Sequence, residues 1–83
     1  MRTPIEVVVG EAFPADWQGP TDAGNLYRIV DPETGEVVTS LTGSGTGSVE
    51  LIAPKKPGAY RVQLVNPATG FVLADLPLDV DPK

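Results

Sequence analysis

Apolar and polar side chains alternate along this chain in short runs, and a glycine, a proline or a polar cluster ends each run before it reaches helix length. A period of two puts every second side chain on one face of an extended strand, so each run can bury one face and wet the other. Nine glycines and nine prolines among 83 residues punctuate the chain too often for long helices. The pattern therefore predicts many short strands joined by tight turns.

Seven runs fit it. Residues 5–9 set Ile5, Val7 and Val9 on one face, and residues 12–17 group Phe13, Ala15 and Trp17 with Asp16 opposite. Parity places Trp17 in the core rather than on the surface as a sugar-stacking platform. Residues 25–30 turn Tyr27 and Ile29 to the core, residues 36–41 form a fourth run, and residues 48–53 point Val49 and Leu51 inward with Ser48 and Glu50 in water. Residues 59–65 place Tyr60, Val62 and Leu64 inside, with Arg61 and Gln63 outside. Residues 71–80 carry Val72, Ala74, Leu76, Leu78 and Val80 on a single parity, with Pro77 outward as on an edge or a strand that changes sheets.

The connections carry their own chemistry. Asp31-Pro32-Glu33-Thr34-Gly35 reads as a hairpin turn, since Asp suits its first position, Pro presets the next φ and Gly supplies the left-handed residue that closes it. Asn66-Pro67-Ala68-Thr69-Gly70 repeats the formula. Convergence on a favourable turn explains the repeat better than an internal duplication, which needs more shared positions than these. Residues 18–24 form a loop, and residues 42–47 form a flexible Gly-Ser-Thr connector.

Seven such strands predict one all-β domain over residues 1–83, a seven-stranded antiparallel β-sandwich of immunoglobulin-like or fibronectin-III-like type. A five- or six-stranded barrel is the alternative. Pro57-Gly58-Ala59-Tyr60 favours the sandwich: a tyrosine just after a turn, early in the penultimate strand, occupies the place of a tyrosine corner.

Composition removes whole classes of function. The chain contains neither cysteine nor histidine, which excludes disulfides, thiolate chemistry and every Ser-His-Asp or Cys-His constellation. A net charge of −5 argues against nucleic acid and against an anionic membrane surface. Among Arg2, Arg28, Lys55, Lys56, Arg61 and Lys83 only the two central lysines are adjacent. No apolar run approaches the roughly 20 residues of a membrane span, so no membrane insertion is expected. The opening Met-Arg-Thr-Pro-Ile-Glu lacks a signal peptide's apolar stretch; an exported protein of this kind would have lost its leader or carry it elsewhere in a longer parent chain.

Phe13-x-x-x-Trp17-x-Gly19-Pro20, Ile29-Val30, Leu51-x-Ala53-Pro54, Pro57-Gly58-x-Tyr60, Val72-Leu73-Ala74 and Pro77-Leu78-x-Val80 form an ordered set. Over roughly residues 5 to 80 this set resembles the immunoglobulin-like accessory domains of exported bacterial von Willebrand factor A-domain proteins. The resemblance implies a β-sandwich without catalytic residues or cofactors, an extracytoplasmic setting, and a role as a spacer or adhesion-type module. The stretch between the third and fifth strands is shorter here than is usual in that family. Its regular turns and compact length also fit an engineered or designed sandwich scaffold with no natural activity.

The remaining polar clusters carry weaker readings. Ser40, Ser44 or Ser48 with Lys55 or Lys56 would make a Ser-Lys pair, but the segments concerned would not hold a nucleophile in geometry. Gly43 to Ser48 lacks the spacing, the lysine and the following helix of a phosphate loop. Asp16, Asp22, Asp31, Glu33, Asp79 and Asp81 offer carboxylates for calcium, yet no Asp-x-Asp-x-Asp-Gly loop organises them. A small calcium- or carbohydrate-binding module is thus a further alternative, and a sandwich of this size has little room for a glycosidase cleft.

One surface stands out. If the third, fourth, sixth and seventh strands share a sheet, their outward parity gives Leu26, Arg28, Val30, Arg61, Gln63, Val65, Phe71 and Leu73. Arginine and aromatic residues are enriched at protein interfaces while acidic residues are depleted. This face is the expected site for a protein partner or neighbouring domain, on a chain that is a monomer or a weak homodimer.

Overall fold

A computed structural model describes residues 3–17, 25–43 and 47–83, with the Trp17 and Asn25 side chains outside that description. Each alternating run becomes a strand: β1 (Glu6–Val8), β2 (Ala12–Trp17), β3 (Asn25–Val30), β4 (Val37–Gly43), β5 (Gly47–Ile52), β6 (Gly58–Val65) and β7 (Val72–Asp81). They form a five-stranded sheet in the order β1-β7-β6-β3-β4 and a two-stranded sheet, β2-β5. The expected packing of Trp17 and the segments 18–24 and 44–46 lie outside the described residues.

Both sheets feed one core. Cross-strand pairs Tyr27–Leu64, Ile29–Val62 and Tyr60–Leu78 line the inner face of the larger sheet, and Phe13–Leu51 lines that of the smaller. Tyr27, Ile29, Leu51, Val62, Leu64 and Leu78 are essentially sealed from water. A two-stranded ribbon is marginal by itself in water. Here β2 and β5 persist because Phe13, Ala15, Leu51 and Ala53 are buried in the cluster shared with the five-stranded sheet.

The two Pro-Thr-Gly turns are built alike. The Gly35 and Gly70 amides donate 2.7 Å bonds to the carbonyls of Asp31 and Asn66, and both glycines have φ near +75°. The Asp31 and Asn66 side chains accept 2.9 Å bonds from the amides of Glu33 and Ala68, and the Thr34 and Thr69 hydroxyls accept from those of Glu36 and Phe71 at 3.2 Å. Side-chain acceptors and the αL glycine thus satisfy the turn without help from the rest of the fold.

The strands are not all antiparallel: β1 runs parallel to β7, pairing Glu6 with Asp79, Val7 with Val80 and Val8 with Asp81. After β1 the chain crosses through Gly10 to the smaller sheet instead of folding back as a hairpin, and no hairpin dictates the direction of the β1–β7 contact. β1 is also shorter than residues 5–9, so Val7 is buried, Val9 is half-buried and Ile5, ahead of the pairing, is 68% exposed.

β7 departs from single parity as well. Leu64 pairs with Ala74 but Val65 pairs with Val72, so Leu73 is an extra residue, a β-bulge. Val72 thereby moves from the expected core side to the outward row beside Val65, and it is 46% exposed. A second bulge in β4, at Val38, separates the Ile29–Thr39 and Val30–Val37 pairs.

Candidate functional site

Pairing across β7, β6, β3 and β4 builds the outward face in three rows. The first is Pro77–Arg61–Val30–Val37, the second Asp75–Gln63–Arg28–Ser40, and the third Val72–Val65–Leu26–Thr42. The eight expected residues fall into distinct environments here. Arg28, Arg61 and Gln63 form the half-buried polar centre, and Leu26 is half-buried at one flank. Val30 and Val65 point outward, yet they are only 9% and 3% exposed. Phe71 and Leu73 lie at the same end as Leu26 and Val65, and both are exposed, Phe71 most of all.

Asp75 completes the centre and was absent from the expected face. It shares the odd parity of Leu73 and Pro77 and directly faces Gln63, which is the signal that locates it. Its carboxylate accepts from Arg61 Nε at 2.8 Å and from Gln63 Nε2 at 3.3 Å, while Gln63 Oε1 accepts from Arg28 Nε at 2.8 Å. Arg61 also reaches the Asp75 carbonyl at 3.4 Å. The result is a chain of donors and acceptors, Arg28 to Gln63 to Asp75 with Arg61 closing it, that holds long side chains flat on the sheet. Two arginines against one carboxylate leave this patch locally positive on a chain of net charge −5.

At the opposite end of the sheet an open groove of about 530 Å³ lies between β4 and the β5–β6 connection. Val38, Ile52, Lys56 and Tyr60 line it together with Asp31 and Glu36 from the first hairpin turn. The Tyr60 hydroxyl donates to the Lys56 carbonyl at 2.7 Å. Burial, and next the negative Asp31, push the Tyr60 phenol above its ordinary pKa.

The other polar candidates are scattered. Ser40 and Ser48 are exposed on β4 and β5, Ser44 lies outside the described residues, and Lys55 and Lys56 sit in the connection before β6. Asp79 and Asp81 share one face of β7, Asp16 is on β2, and Asp31 and Glu33 belong to a turn; Asp22 is outside the described residues. Among the described residues no three carboxylates gather as a metal cluster, and no helix is long and apolar enough to cross a membrane. Neither a protein-family model nor a curated relative matches the chain.

Proposed function

We propose that this chain is a non-catalytic immunoglobulin-like module, an interaction or spacer domain of a larger exported or surface-attached bacterial protein. Its strand order supports the immunoglobulin-like reading. With β3, β6 and β7 as the C, F and G strands, β4 takes the C′ position beside C, and β2 with β5 takes the B–E position of the opposing sheet. The Tyr60–Lys56 bond has the geometry of a tyrosine corner, a phenol early in the F strand bonded to backbone a few residues upstream.

The outward face of β7, β6 and β3 is the surface that meets a protein partner or neighbouring domain. One observation carries this: the ordered Arg28–Gln63–Asp75–Arg61 network lies directly beside Phe71, Val72 and Leu73, which are 71%, 46% and 43% exposed. Fixed arginines beside an exposed aromatic residue present a surface with little side-chain freedom left to lose on binding.

The test is a titration of the isotopically labelled domain with the domains that flank it in its parent chain, followed by nuclear magnetic resonance. Shifts centred on Leu26, Gln63 and Leu73 are expected, and Leu73→Glu should remove them while leaving the melting temperature nearly unchanged. Shifts confined to another surface would reject the assignment. So would a large stability loss in Leu73→Glu, because it would mean that the side chain is structural.

A further inference from the structure

β1 and β7 pair parallel, while every other pairing among the described strands is antiparallel. They are also the first and last of those strands, so their contact joins the places where the chain enters and leaves the fold. Strand direction decides how that contact meets a pull. Tension on the residues before β1 draws it backward along its own axis, and tension on the residues after β7 draws that strand forward. Parallel strands drawn in this way slide past one another, so the bonds between them are loaded together rather than in turn. Antiparallel end strands held at one end would instead open like a hairpin, one bond after another.

The local structure resists such sliding. The Asp79 amide donates to the Ile5 carbonyl at 2.7 Å and the Val9 amide donates to the Asp81 carbonyl at 3.0 Å. These bonds bracket the Glu6–Asp79, Val7–Val80 and Val8–Asp81 pairs. Pro77, two residues back on the same side of β7, has no amide to offer and bounds the ladder at Asp79. Val7 and Val80, the middle pair, are both buried, so a sliding β1 must also withdraw Val7 from the core. Both strands are held from behind as well. β7 pairs with β6 from Val72 to Val80, and the Gly10–Pro54 and Ala53–Glu11 backbone bonds fix the chain after β1 to the smaller sheet.

We infer that the β1–β7 contact is a shear clamp, by which this domain carries tension along the chain as a load-bearing element. Its use in a surface-attached protein rests on the spacer reading above, whereas the clamp rests on strand direction and the bonds that cross it.

The chain has no cysteine, so introduced ones alone define where the handles of an optical trap attach. Pulling between Thr3→Cys and Lys83→Cys loads the clamp in shear. Moving the second handle to Ala68→Cys, in the exposed turn ahead of β7, folds β1 back from Ile5 and peels it. The first opening should need a clearly higher force in the first geometry. Val9 holds the second position of a turn closed by the Glu11 amide on the Val8 carbonyl at 3.1 Å, with Gly10 following at φ +74°. Proline suits that position, so Val9→Pro removes a clamp donor and keeps the turn. It should speed unfolding under end-to-end load about fivefold, the rate equivalent of about 1 kcal/mol. Equilibrium stability should change little, because proline also restricts the unfolded chain. Tyr60→Phe should do the reverse, lowering stability but not resistance to load, since its bond to Lys56 is still made when β1 slides. Equal opening forces in the two geometries would overturn the inference. So would Val9→Pro unfolding no faster than the native chain under load, or Tyr60→Phe unfolding as fast as Val9→Pro. None of these outcomes bears on the outward face, which the partner titration tests separately.

Discussion

The Tyr60 hydroxyl donates a 2.7 Å hydrogen bond to the carbonyl oxygen of Lys56, four residues upstream. That bond ties the connection between the two sheets to the start of β6, while Tyr60 pairs across from Leu78 in the core. Tyr60→Phe keeps the ring and removes the bond. Loss of about 1 kcal/mol is expected, the net worth of one hydrogen bond. For a domain of this size this lowers the melting temperature by about 4–8 °C, readable by calorimetry.

The same phenol makes stability fall at alkaline pH. Its folded-state pKa is raised by burial and by Asp31, so above the ordinary value of 10.0 the unfolded chain loses the Tyr60 proton before the folded one does. The Tyr60 contribution is therefore complete below pH 10 and declines as pH rises from there through the folded-state pKa. Denaturant titrations across that range should show the decline in the native chain and less of it in Tyr60→Phe. Asp31→Asn, which can keep the bond to the Glu33 amide, should bring the Tyr60 pKa down when tyrosinate absorbance is followed against the Tyr60→Phe background.

Gly35 and Gly70 close equivalent turns at φ of +74° and +79°, with open space where a Cβ would stand. The penalty for Gly35→Ala or Gly70→Ala is therefore one of backbone conformation alone, about 1 kcal/mol for each. Similar losses at the two sites, additive in the double variant, are expected in urea denaturation because the turns share no hydrogen-bonding partner and each is satisfied locally.

Neighbouring residues on β5 should respond very differently. Leu51 is 1% exposed opposite Phe13, and Ile52 is 50% exposed. Leu51→Ala should lose about 2–5 kcal/mol by leaving a cavity in the core. Ile52→Ala should lose under about 1 kcal/mol, since little of its surface is buried. The reverse order, with Ile52→Ala the costlier, would mean that β5 is displaced by one residue from this register.

Much of the strand content was legible because it is written locally. Alternation assigned Phe13, Tyr27, Ile29, Leu51, Tyr60, Val62, Leu64 and Leu78 to the core, and the structure buries all of them. The paired turns and the Tyr60 bond depend on residues only a few positions apart, so a short stretch of chain contains their whole cause. Arg28, Arg61 and Gln63 were legible on the outward face for the same reason. Asp75 was within reach by parity, but its bonds to Arg61 and Gln63 link strands twelve to fourteen residues apart in sequence.

Seven extended runs, most of their inward residues and the chemistry of the turns follow from local residues, through backbone sterics and a period of two. The parallel β1–β7 contact, the bulges at Leu73 and Val38, the outward turn of Val72 and the half-covered edge at Pro77 came from long-range packing. Those features depend on which distant strand lies alongside and on how two twisted sheets close over one core. A period of two marks which side of a strand is apolar, but strand direction, register and edge are fixed by partners that the local pattern does not encode.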